Sequence, residues 1–497
     1  MTQEEVRGPF GAPVPESEVA ATLRADELSL FDATAVAVSS VAPAYSIAAT
    51  MTAVLVISGV GLASPAVLIV SFIPVLFIAM SYFHLNRRNP NCGASYAWLS
   101  EVVHPNLGWI NGWVQVWTSI LFCTTAPLLA GGYTLQFLHS AFNAVSNATI
   151  NSSSDVAWVA AGWLILVTLI CIYGIRWTTN AQWVMVLVEY IAVTVFSVGG
   201  IIKVLVKHPA HSMNFSWAWL DPFHIHGYTA LAQGLALGVF FFWGWDTALN
   251  LNEESKDAKK IPGRAALISM WLLLFIFVLN FVAAQMLLGP AAISNQGSEV
   301  LFYFGQQFAG PWASYVMIFA VLSSTVATTQ TTVLPAARIT FSMARDKVFP
   351  SIFAKIHGRY QTPALGTIIV AGASMVGIVL TTLSSSANNV FNNLVNNIGV
   401  LVAFYYGITG LACAWAFRKT LGKGLRANLT MVVLPFIGGV ALLYVCWVVI
   451  QQGGMTALPD DVVLLSSIPA LYLAKWYSRG RTTFFAQPRV AYADIAD

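Results

Sequence analysis

Long apolar stretches separated by short polar connections run along most of the chain. We count twelve of them, each long enough to cross the hydrocarbon core of a bilayer as an α-helix, which takes about 20 residues. Their approximate positions are 30–58, 65–84, 107–138, 157–175, 180–205, 228–251, 265–288, 312–340, 364–383, 391–417, 429–450 and 460–478. The pattern predicts an all-α membrane protein with twelve transmembrane helices.

The first and sixth stretches are each interrupted near the middle. Residues 39–46 read SSVAPAYS, in which Pro43 removes a backbone donor and clashes with the preceding turn. Residues 243–246 read WGWD, in which Gly244 allows the backbone to leave the helix. Ordinary packing kinks would also explain these residues, because Pro and Gly are common in membrane helices. Their matched positions favour a binding site.

The two interrupted helices run in opposite directions, because five stretches precede the sixth. The third member of each set of five is also long, at about 106–140 and 311–345. Matched broken helices of opposite orientation predict a 5+5 inverted repeat with broken helices 1 and 6. The predicted organisation is a tail at 1–29, repeats at 30–206 and 207–417, two added helices at 418–478 and a tail at 479–497.

Composition and charge agree with a membrane protein. The chain is 57% hydrophobic and 9% charged, whereas a soluble protein carries about 25% charged residues. Every Lys and Arg can be assigned to a connection or to the adjoining end of a stretch, and all but Lys203 and Lys207 lie on the side of the N-terminus. Cytoplasmic loops collect positive charge, so we expect a multi-pass plasma membrane protein with both termini in the cytoplasm. The net charge of +3 then reflects loops facing lipid, and no nucleic-acid partner is expected.

Three classes of membrane protein compete at this point: a transporter, a channel, and a membrane enzyme or receptor. The eight His residues lie in loops or near the ends of stretches, and no HExxH or GxSxG motif occurs. We therefore predict no enzymatic activity, no catalytic residues, no metal site and no cofactor. A channel would be indicated by repeated filter loops or by rings of charge contributed by several subunits. Neither is visible in this one chain, so a channel stays an alternative. Paired broken helices are typical of secondary transporters.

Three segments resemble the amino acid–polyamine–organocation (APC) superfamily of permeases. They are FFFWGWDTALNLNEESKDAKKIPGRAALIS (residues 240–269), GASYAWLSEVVHPNLGWINGW (93–113) and TTVLPAARITFSMARDKVFP (331–350). The resemblance implies a LeuT-like fold and transport of amino acids or amines by alternating access. It also implies a bacterial inner membrane as the location.

The chain departs from that superfamily at two places. The first helix of the superfamily commonly breaks at Gly-x-Gly, whose amides hold the substrate carboxylate. Here the break reads Val41-Ala42-Pro43-Ala44, and proline offers no amide. Some proton-coupled members carry a lysine in the fifth helix, and the matching position here is Glu189. The resemblance therefore implies no lysine-based coupling for this chain.

The two breaks define the candidate substrate site. Amides at the start of the outer half of helix 1 favour an anion, and free carbonyls at the end of the first half of helix 6 suit an ammonium group. A zwitterionic amino acid fits between them, with a cation–π contact to a Trp ring. The candidate substrate-binding residues are Ser40, Val41, Ala42, Pro43, Ala44, Tyr45, Ser46, Trp243, Gly244, Trp245 and Asp246.

Away from the ends of the apolar stretches, the acids are Glu189 and Asp246. A charge at mid-membrane costs about 2.5–3.5 kcal/mol on insertion scales, so each needs a reason. Asp246 is expected to cap the helix that follows it, to line the site, or to do both. Glu189 is a protonated packing residue, a partner of the helix break, or the carrier of a coupling proton. Ser323 and Ser324 are further coupling candidates, whereas Tyr405 and Tyr406 are expected to serve packing.

The sequence therefore predicts a secondary active transporter that moves amino acids across the plasma membrane by alternating access. Proton symport is the predicted energy source, and sodium is not excluded. The alternative is a transporter or exchanger of polyamines or small cationic amines. The expected partners are this substrate and the lipid bilayer, and the oligomeric state stays open.

Overall fold

A computed structural model describes residues 23, 25–172, 175–357, 362–383, 387–453 and 458–487. The predicted tails at 1–29 and 479–497 therefore lie largely outside the described residues. Within these ranges the chain forms eighteen α-helices and no β-strand, apart from one isolated bridge between Leu28 and Ser255. The prediction of an all-α protein is confirmed.

The helices are named here in chain order. They are Leu30–Val41 (α1), Pro43–Leu55 (α2), Ser64–Arg88 (α3), Ser95–Val102 (α4), Pro105–Phe142 (α5), Asn147–Ile150 (α6), Ser153–Ile172 (α7), Ile175–Lys207 (α8), Tyr228–Phe241 (α9), Thr247–Asn250 (α10), Ile261–Gln296 (α11), Val300–Ala309 (α12), Pro311–Arg345 (α13), Ala364–Thr381 (α14), Ala387–Ala416 (α15), Leu425–Ala427 (α16), Leu434–Gly453 (α17) and Leu458–Ser478 (α18).

Ten segments of the described chain are long and apolar enough to cross a membrane. The two other predicted spans differ from these ten. The sixth is represented by α9, which is apolar but shorter because the helix breaks. The last is α18, whose 21 residues include Asp460, Asp461 and Lys475. The structure thus supports ten of the twelve predicted spans, and the other two stay predictions.

The helices form two inverted repeats. The broken pair α1 and α2 corresponds to the broken pair α9 and α10, and the long helices α5 and α13 occupy matching places. The sequence did not predict two short helices, α4 and α12, which each precede the long helix of their repeat. Because one repeat is inverted, these short helices belong to opposite ends of the bundle. The exact repeat boundaries stay predictions.

Burial separates the centre of the bundle from its lipid-facing rim. The window within residues 30–55 is 89% buried, whereas the window within residues 182–207 is 33% buried. Large apolar side chains on the rim are exposed, including Trp158 on α7 and Leu187 on α8. Such a surface suits a hydrocarbon solvent. The broken helices are therefore enclosed by protein on nearly all sides.

Both ends of the described chain pack against the same end of the bundle, which we call the terminal face. Leu23 contacts Cys92 and Phe341, and the ring of Phe484 stacks on Tyr96 at 6.0 Å between centroids. The opposite face carries the connections at 143–152, 208–227 and 297–310. The position of both described ends on one side agrees with an even number of crossings.

A candidate substrate and coupling site at two broken helices

Helix 1 breaks at Ala42. This residue has left-handed backbone angles, φ 50° and ψ 76°, and Pro43 begins α2. Pro43 has a fixed φ and no N–H, which suits the first position of a helix and prevents α1 from continuing. The break leaves backbone groups without helical partners on both sides of Ala42.

Side chains from α8 and α13 supply most of the missing partners. The carbonyl of Ser40 accepts a hydrogen bond from the Thr328 hydroxyl at 2.5 Å. The amide of Ala44 donates to Oε1 of Glu189 at 2.7 Å, and the amide of Tyr45 donates to the Ser324 hydroxyl at 3.0 Å. Buried polar backbone is costly when unpaired, so these contacts stabilise the break.

Glu189 is fully buried, and it bonds through one carboxyl oxygen. Oε1 also accepts from the Ser324 hydroxyl at 2.8 Å. Oε2 has no hydrogen-bond partner among the described residues. The sequence allowed three interpretations of Glu189, and its contacts match one of them, the partner of a helix break. This position does not conflict with carriage of a proton.

Helix 6 breaks where the sequence predicts, although α9 ends at Phe241, two residues before Trp243. Gly244 has φ of +118°, and a Cβ there would lie 2.9 Å from the backbone C and O of Ser40. Only glycine fits such a close approach at a positive φ. The hydroxyls of Ser40 and Thr247 lie 2.9 Å apart. The two breaks are therefore in direct contact.

Asp246 does not cap the helix that follows it. Its side chain makes no hydrogen bond to the backbone of α10, so capping is wrong as an account of this residue. Instead, the Tyr405 hydroxyl donates to Oδ2 at 3.3 Å, and Nε1 of Trp243 donates to that same hydroxyl. The carboxylate is 5% exposed. It is oriented by aromatic side chains and not by a base.

Trp245 points away from this carboxylate cluster. It is fully buried, and its ring packs against Tyr82 at 5.1 Å and Tyr406 at 5.3 Å between centroids. Its indole N–H has no hydrogen-bond partner among the described residues. Trp243 is therefore better placed than Trp245 to present a ring to a bound cation.

A small cavity lies beside the two breaks. Its volume is about 20 Å³, which is enough for about one water molecule. Four of the predicted site residues line it, namely Ser40, Trp243, Gly244 and Asp246. The other lining residues are Gln115, Ser119, Thr247, Thr332, Pro335, Ile339 and Tyr405. The cavity is too small for an amino acid in this conformation.

A larger vestibule opens on the side of the opposite face. Its volume is about 670 Å³, and its walls include residues of α2 and α5 and the segment 295–299. Rings of Tyr45, Phe122, Phe240 and Trp243 pack on one another at 5.1–6.4 Å between centroids. None of these four residues except Trp243 lines the small cavity, and none lines the vestibule. They form an apolar barrier at the level of the breaks.

Ion pairs close the bundle at the terminal face. Nε and Nη2 of Arg338 donate to the two carboxylate oxygens of Glu254, and both side chains are buried. Arg345 pairs with Glu253, which also accepts from the amide of Cys92. These contacts join α13 to the connection after α10. The conformation is therefore open towards the vestibule and closed at the terminal face.

The predicted residues fall into three groups. Ser40, Trp243, Gly244 and Asp246 surround the small cavity, and Glu189 with Ser324 lies at the start of α2. The amides of Ala44, Tyr45 and Ser46, predicted to hold a substrate carboxylate, all have protein acceptors. Ser323 is not brought to the break, because its hydroxyl donates to the carbonyl of Ala320 in its own helix. The backbone segment Val41, Ala42 and Pro43 shapes the break.

The contacts that Thr247, Thr328 and Tyr405 make at the two breaks were not predicted from the sequence. Tyr405 was expected to serve packing, and it instead joins Trp243 to Asp246. A hydroxyl-bearing ring in the middle of an apolar helix was the available signal, because a buried Tyr hydroxyl usually needs a partner. No group of three or more potential metal ligands occurs among the described residues.

Comparison with known proteins identifies the class. A family model described as amino acid permease matches residues 28–469. The chain therefore belongs to the amino acid permease family, whose members are membrane transporters and not enzymes. The resemblance to APC superfamily permeases is confirmed.

The individual relatives have low sequence identity to this chain, but the matches cover most of its length. The low-affinity putrescine importer PlaP of Escherichia coli (strain K12) is 24% identical over 438 residues, 86% of this chain and 87% of the relative. The human Asc-type amino acid transporter 1 is 24% identical over 409 residues, 80% of this chain and 73% of the relative. Among solved structures, MhsT in complex with L-phenylalanine has a TM-score of 0.63 at 12% identity, with 86% of this chain and 99% of that chain covered. This last similarity supports the LeuT-like fold alone.

Proposed function

We propose that this secondary transporter moves a small solute with an ammonium group, in the first place an amino acid, and that a proton moves with it. The observation that carries the proposal is the meeting of two helix breaks at a buried carboxylate, Asp246, with no base among its hydrogen-bond partners. A cationic group of the substrate would supply the missing counter-charge. The named relatives, which include an amino acid transporter and a putrescine importer, are consistent with this substrate class.

The contacts of Glu189 support proton coupling. Its carboxylate faces the positive N-terminus of α2, and this attraction depends on the negative charge. Protonation of the carboxylate would weaken its hold on the Ala44 amide and would release the outer half-helix. Glu189 would then connect the proton to the movement of α2. The state of charge and the position of the half-helix would change together.

The contacts of the serine hydroxyls favour protons over sodium. The Ser324 hydroxyl bridges Glu189 and the Tyr45 amide, and the Ser323 hydroxyl bonds to its own helix. Neither is left as a ready ligand for a cation. Sodium remains the alternative that the experiment below tests.

The proposed location is the plasma membrane, and a bacterial inner membrane in particular. The terminal face would lie in the cytoplasm, because nearly all Lys and Arg residues belong to connections on that side. The vestibule would then face outward.

A second candidate substrate is a polyamine or small cationic amine without a carboxylate. It is favoured by one observation: the amides of Ala44 and Tyr45, where a substrate carboxylate was expected, are engaged by Glu189 and Ser324.

The proposal is tested by uptake into liposomes that contain the purified protein. A panel of amino acids and amines would be supplied under separate proton and sodium gradients. We expect saturable uptake of at least one of these compounds, accelerated by an inward proton gradient and insensitive to sodium. Large uncoupled currents without counterflow would instead indicate a channel. Acceleration by sodium alone would overturn the coupling proposal.

Glu189→Gln tests the coupling residue. The glutamine oxygen can still accept from the Ala44 amide, but the side chain cannot carry a proton. We expect uptake that no longer responds to a proton gradient, while exchange of internal for external substrate persists. Glu101→Gln is the matched control, since Glu101 accepts a hydrogen bond from Asn89 at the terminal face, away from the breaks. An unaltered pH profile in Glu189→Gln would remove this residue as the proton carrier.

A further inference from the structure

A carboxylate of the protein itself occupies the start of α2. Amides at a helix N-terminus attract anions, because they lack carbonyl partners and the helix dipole is positive there. In this chain Oε1 of Glu189 accepts from the Ala44 amide at 2.7 Å, and the next amide, of Tyr45, is bound to Ser324. The place where this half-helix could bind the carboxylate of a substrate is therefore filled from α8.

Glu189 also discourages a second carboxylate nearby. The residue is fully buried, and Oε2 has no hydrogen-bond partner among the described residues. A substrate carboxylate at the break would lie beside the Glu189 carboxyl group in a desolvated site, where two carboxyl groups are not both ionised without a large cost. It would also find the Ala44, Tyr45 and Ser46 amides already bonded.

Among the described residues, acids and no bases line both cavities. The vestibule wall contains Glu299, and the small cavity contains Asp246; neither set of lining residues includes Lys, Arg or His. Neither Asp246 nor Glu189 forms an ion pair within the described parts of the chain, where the ion pairs involve residues 221 and 224, 253 and 345, and 254 and 338. A cation meets a counter-charge in each cavity, whereas a carboxylate meets none.

We propose that Glu189 is a specificity-determining residue, a tethered carboxylate that takes the place of a substrate carboxylate and selects cationic amines over the corresponding amino acids. The ammonium group of the substrate would pair with Asp246 beside the ring of Trp243. This inference rests on the proposed function, because it assumes that the two breaks form the substrate site. Of the two substrate classes named there, it favours the second, the amines, over the first.

The test compares pairs of compounds that differ only in the carboxylate. Suitable pairs are putrescine with L-ornithine, 2-phenylethylamine with L-phenylalanine, and isobutylamine with L-valine. Binding to the purified full-length protein would be measured by titration calorimetry at one neutral pH, and uptake would be measured in liposomes. For each pair that binds, we expect the amine to bind at least about tenfold more tightly, because like-charge juxtaposition discriminates strongly between ligands.

Variants of Glu189 should change this ratio in a set order. Glu189→Ala leaves the Ala44 amide without its acceptor. We expect the ratio of amine affinity to amino acid affinity to fall by about tenfold, which corresponds to the loss of one charge-assisted hydrogen bond. Glu189→Gln keeps the hydrogen bond without the charge and should give an intermediate ratio. Ser324→Ala frees the Tyr45 amide and keeps Glu189, so it should lower the same ratio by a smaller factor. This variant also provides the test if Glu189→Ala does not fold.

Two controls separate specificity from general damage. Asp246→Asn should weaken the binding of both compounds of a pair and leave the ratio of their affinities unchanged, since both carry the ammonium group. Glu101→Gln should change neither. A wild-type protein that binds the amino acid of each pair as tightly as the amine would overturn the inference while leaving the proposed function intact, and so would a ratio that Glu189→Ala and Ser324→Ala leave unchanged. Absence of binding and uptake for every pair would overturn the proposed function itself.

Discussion

The hydroxyl of Tyr405 joins the two most exposed functional groups of the helix 6 break. It accepts from the Trp243 indole and donates to the Asp246 carboxylate. A single oxygen thus connects the carboxylate to the indole ring. Within the described chain, no other side-chain atom bonds to both groups. The site is therefore sensitive to one atom of α15.

Tyr405→Phe removes that oxygen and keeps the ring. A hydrogen bond to a charged group contributes about 1.5–3 kcal/mol, and the long 3.3 Å contact belongs at the lower end. We expect KM for uptake to rise by about tenfold, because Asp246 loses its orientation, with a smaller change in the maximal rate. Initial rates of uptake in liposomes measure both quantities.

Tyr444→Phe is the matched control, because Tyr444 is 57% exposed on the rim at α17. It should leave KM unchanged. Equal KM values for Tyr405→Phe and the wild type would show that Tyr405 does not orient the site.

At the scale of elements, α13 connects the site to the terminal face. Its Ser324 and Thr328 bond to the helix 1 break, and further along the same helix Arg338 and Arg345 bond to the connection after α10. Movement of α13 relative to the broken helices would therefore disturb the break and the ion pairs together.

The two ion pairs at that end differ in environment. Arg338 and Glu254 are both buried, whereas Arg345 and Glu253 are partly exposed. Burial acts to raise the pKa of Glu253, but the hydrogen bonds and charge of Arg345 outweigh it and leave this pKa below its usual value. A lowered carboxylate pKa contributes stability at neutral pH that is lost as the pH falls through that lowered value.

Glu254→Ala should destabilise the protein strongly. It leaves Arg338 buried without its counter-charge, a change that costs about 3–5 kcal/mol. Thermal unfolding in detergent, followed by circular dichroism, should show a clearly lower midpoint. Glu253→Ala is the control and should lower the midpoint much less, because partly exposed pairs contribute about 0–1 kcal/mol. Equal losses in the two variants would contradict the assignment of the buried pair as the main closure of this face.

At the scale of the whole molecule, the path across the bundle is open on one side only. A vestibule of about 670 Å³ reaches from the opposite face towards the aromatic barrier, and a cavity of about 20 Å³ lies at the breaks beyond it. Alternating access requires a second conformation in which the vestibule is closed and the small cavity is larger.

Cysteine accessibility tests this arrangement and the orientation together. The five native cysteines are all buried and unpaired, so they give a low background. In right-side-out vesicles, Gln136→Cys in the vestibule wall should react with a membrane-impermeant thiol reagent. Gln115→Cys, in the wall of the small cavity, should not react. Failure of both variants to react would indicate that the terminal face lies outside the cell, and reaction of Gln115→Cys would contradict the closed terminal face.

Much of the fold follows from local pattern. Apolar length predicts the crossing helices, because each must satisfy its own backbone in lipid. Pro43 and Gly244 predict the two breaks, because one lacks an N–H and the other adopts φ of +118°. The short helices α4 and α12 were missed, since they lie in connections whose helical structure depends on packing against α5 and α13.

The sequence by itself determined that the chain spans a membrane, where its two helices break, and that Glu189 and Asp246 stand out as acids within apolar stretches. Only the tertiary structure decided what these acids do. Glu189 reaches the Ala44 amide because α8 packs against the first broken helix, and Asp246 turns to Tyr405 because α15 lies beside the second. Apolar length and backbone chemistry are local properties of a sequence. The partner of a buried carboxylate comes from residues more than a hundred positions away, and it is set by helix packing and rotation.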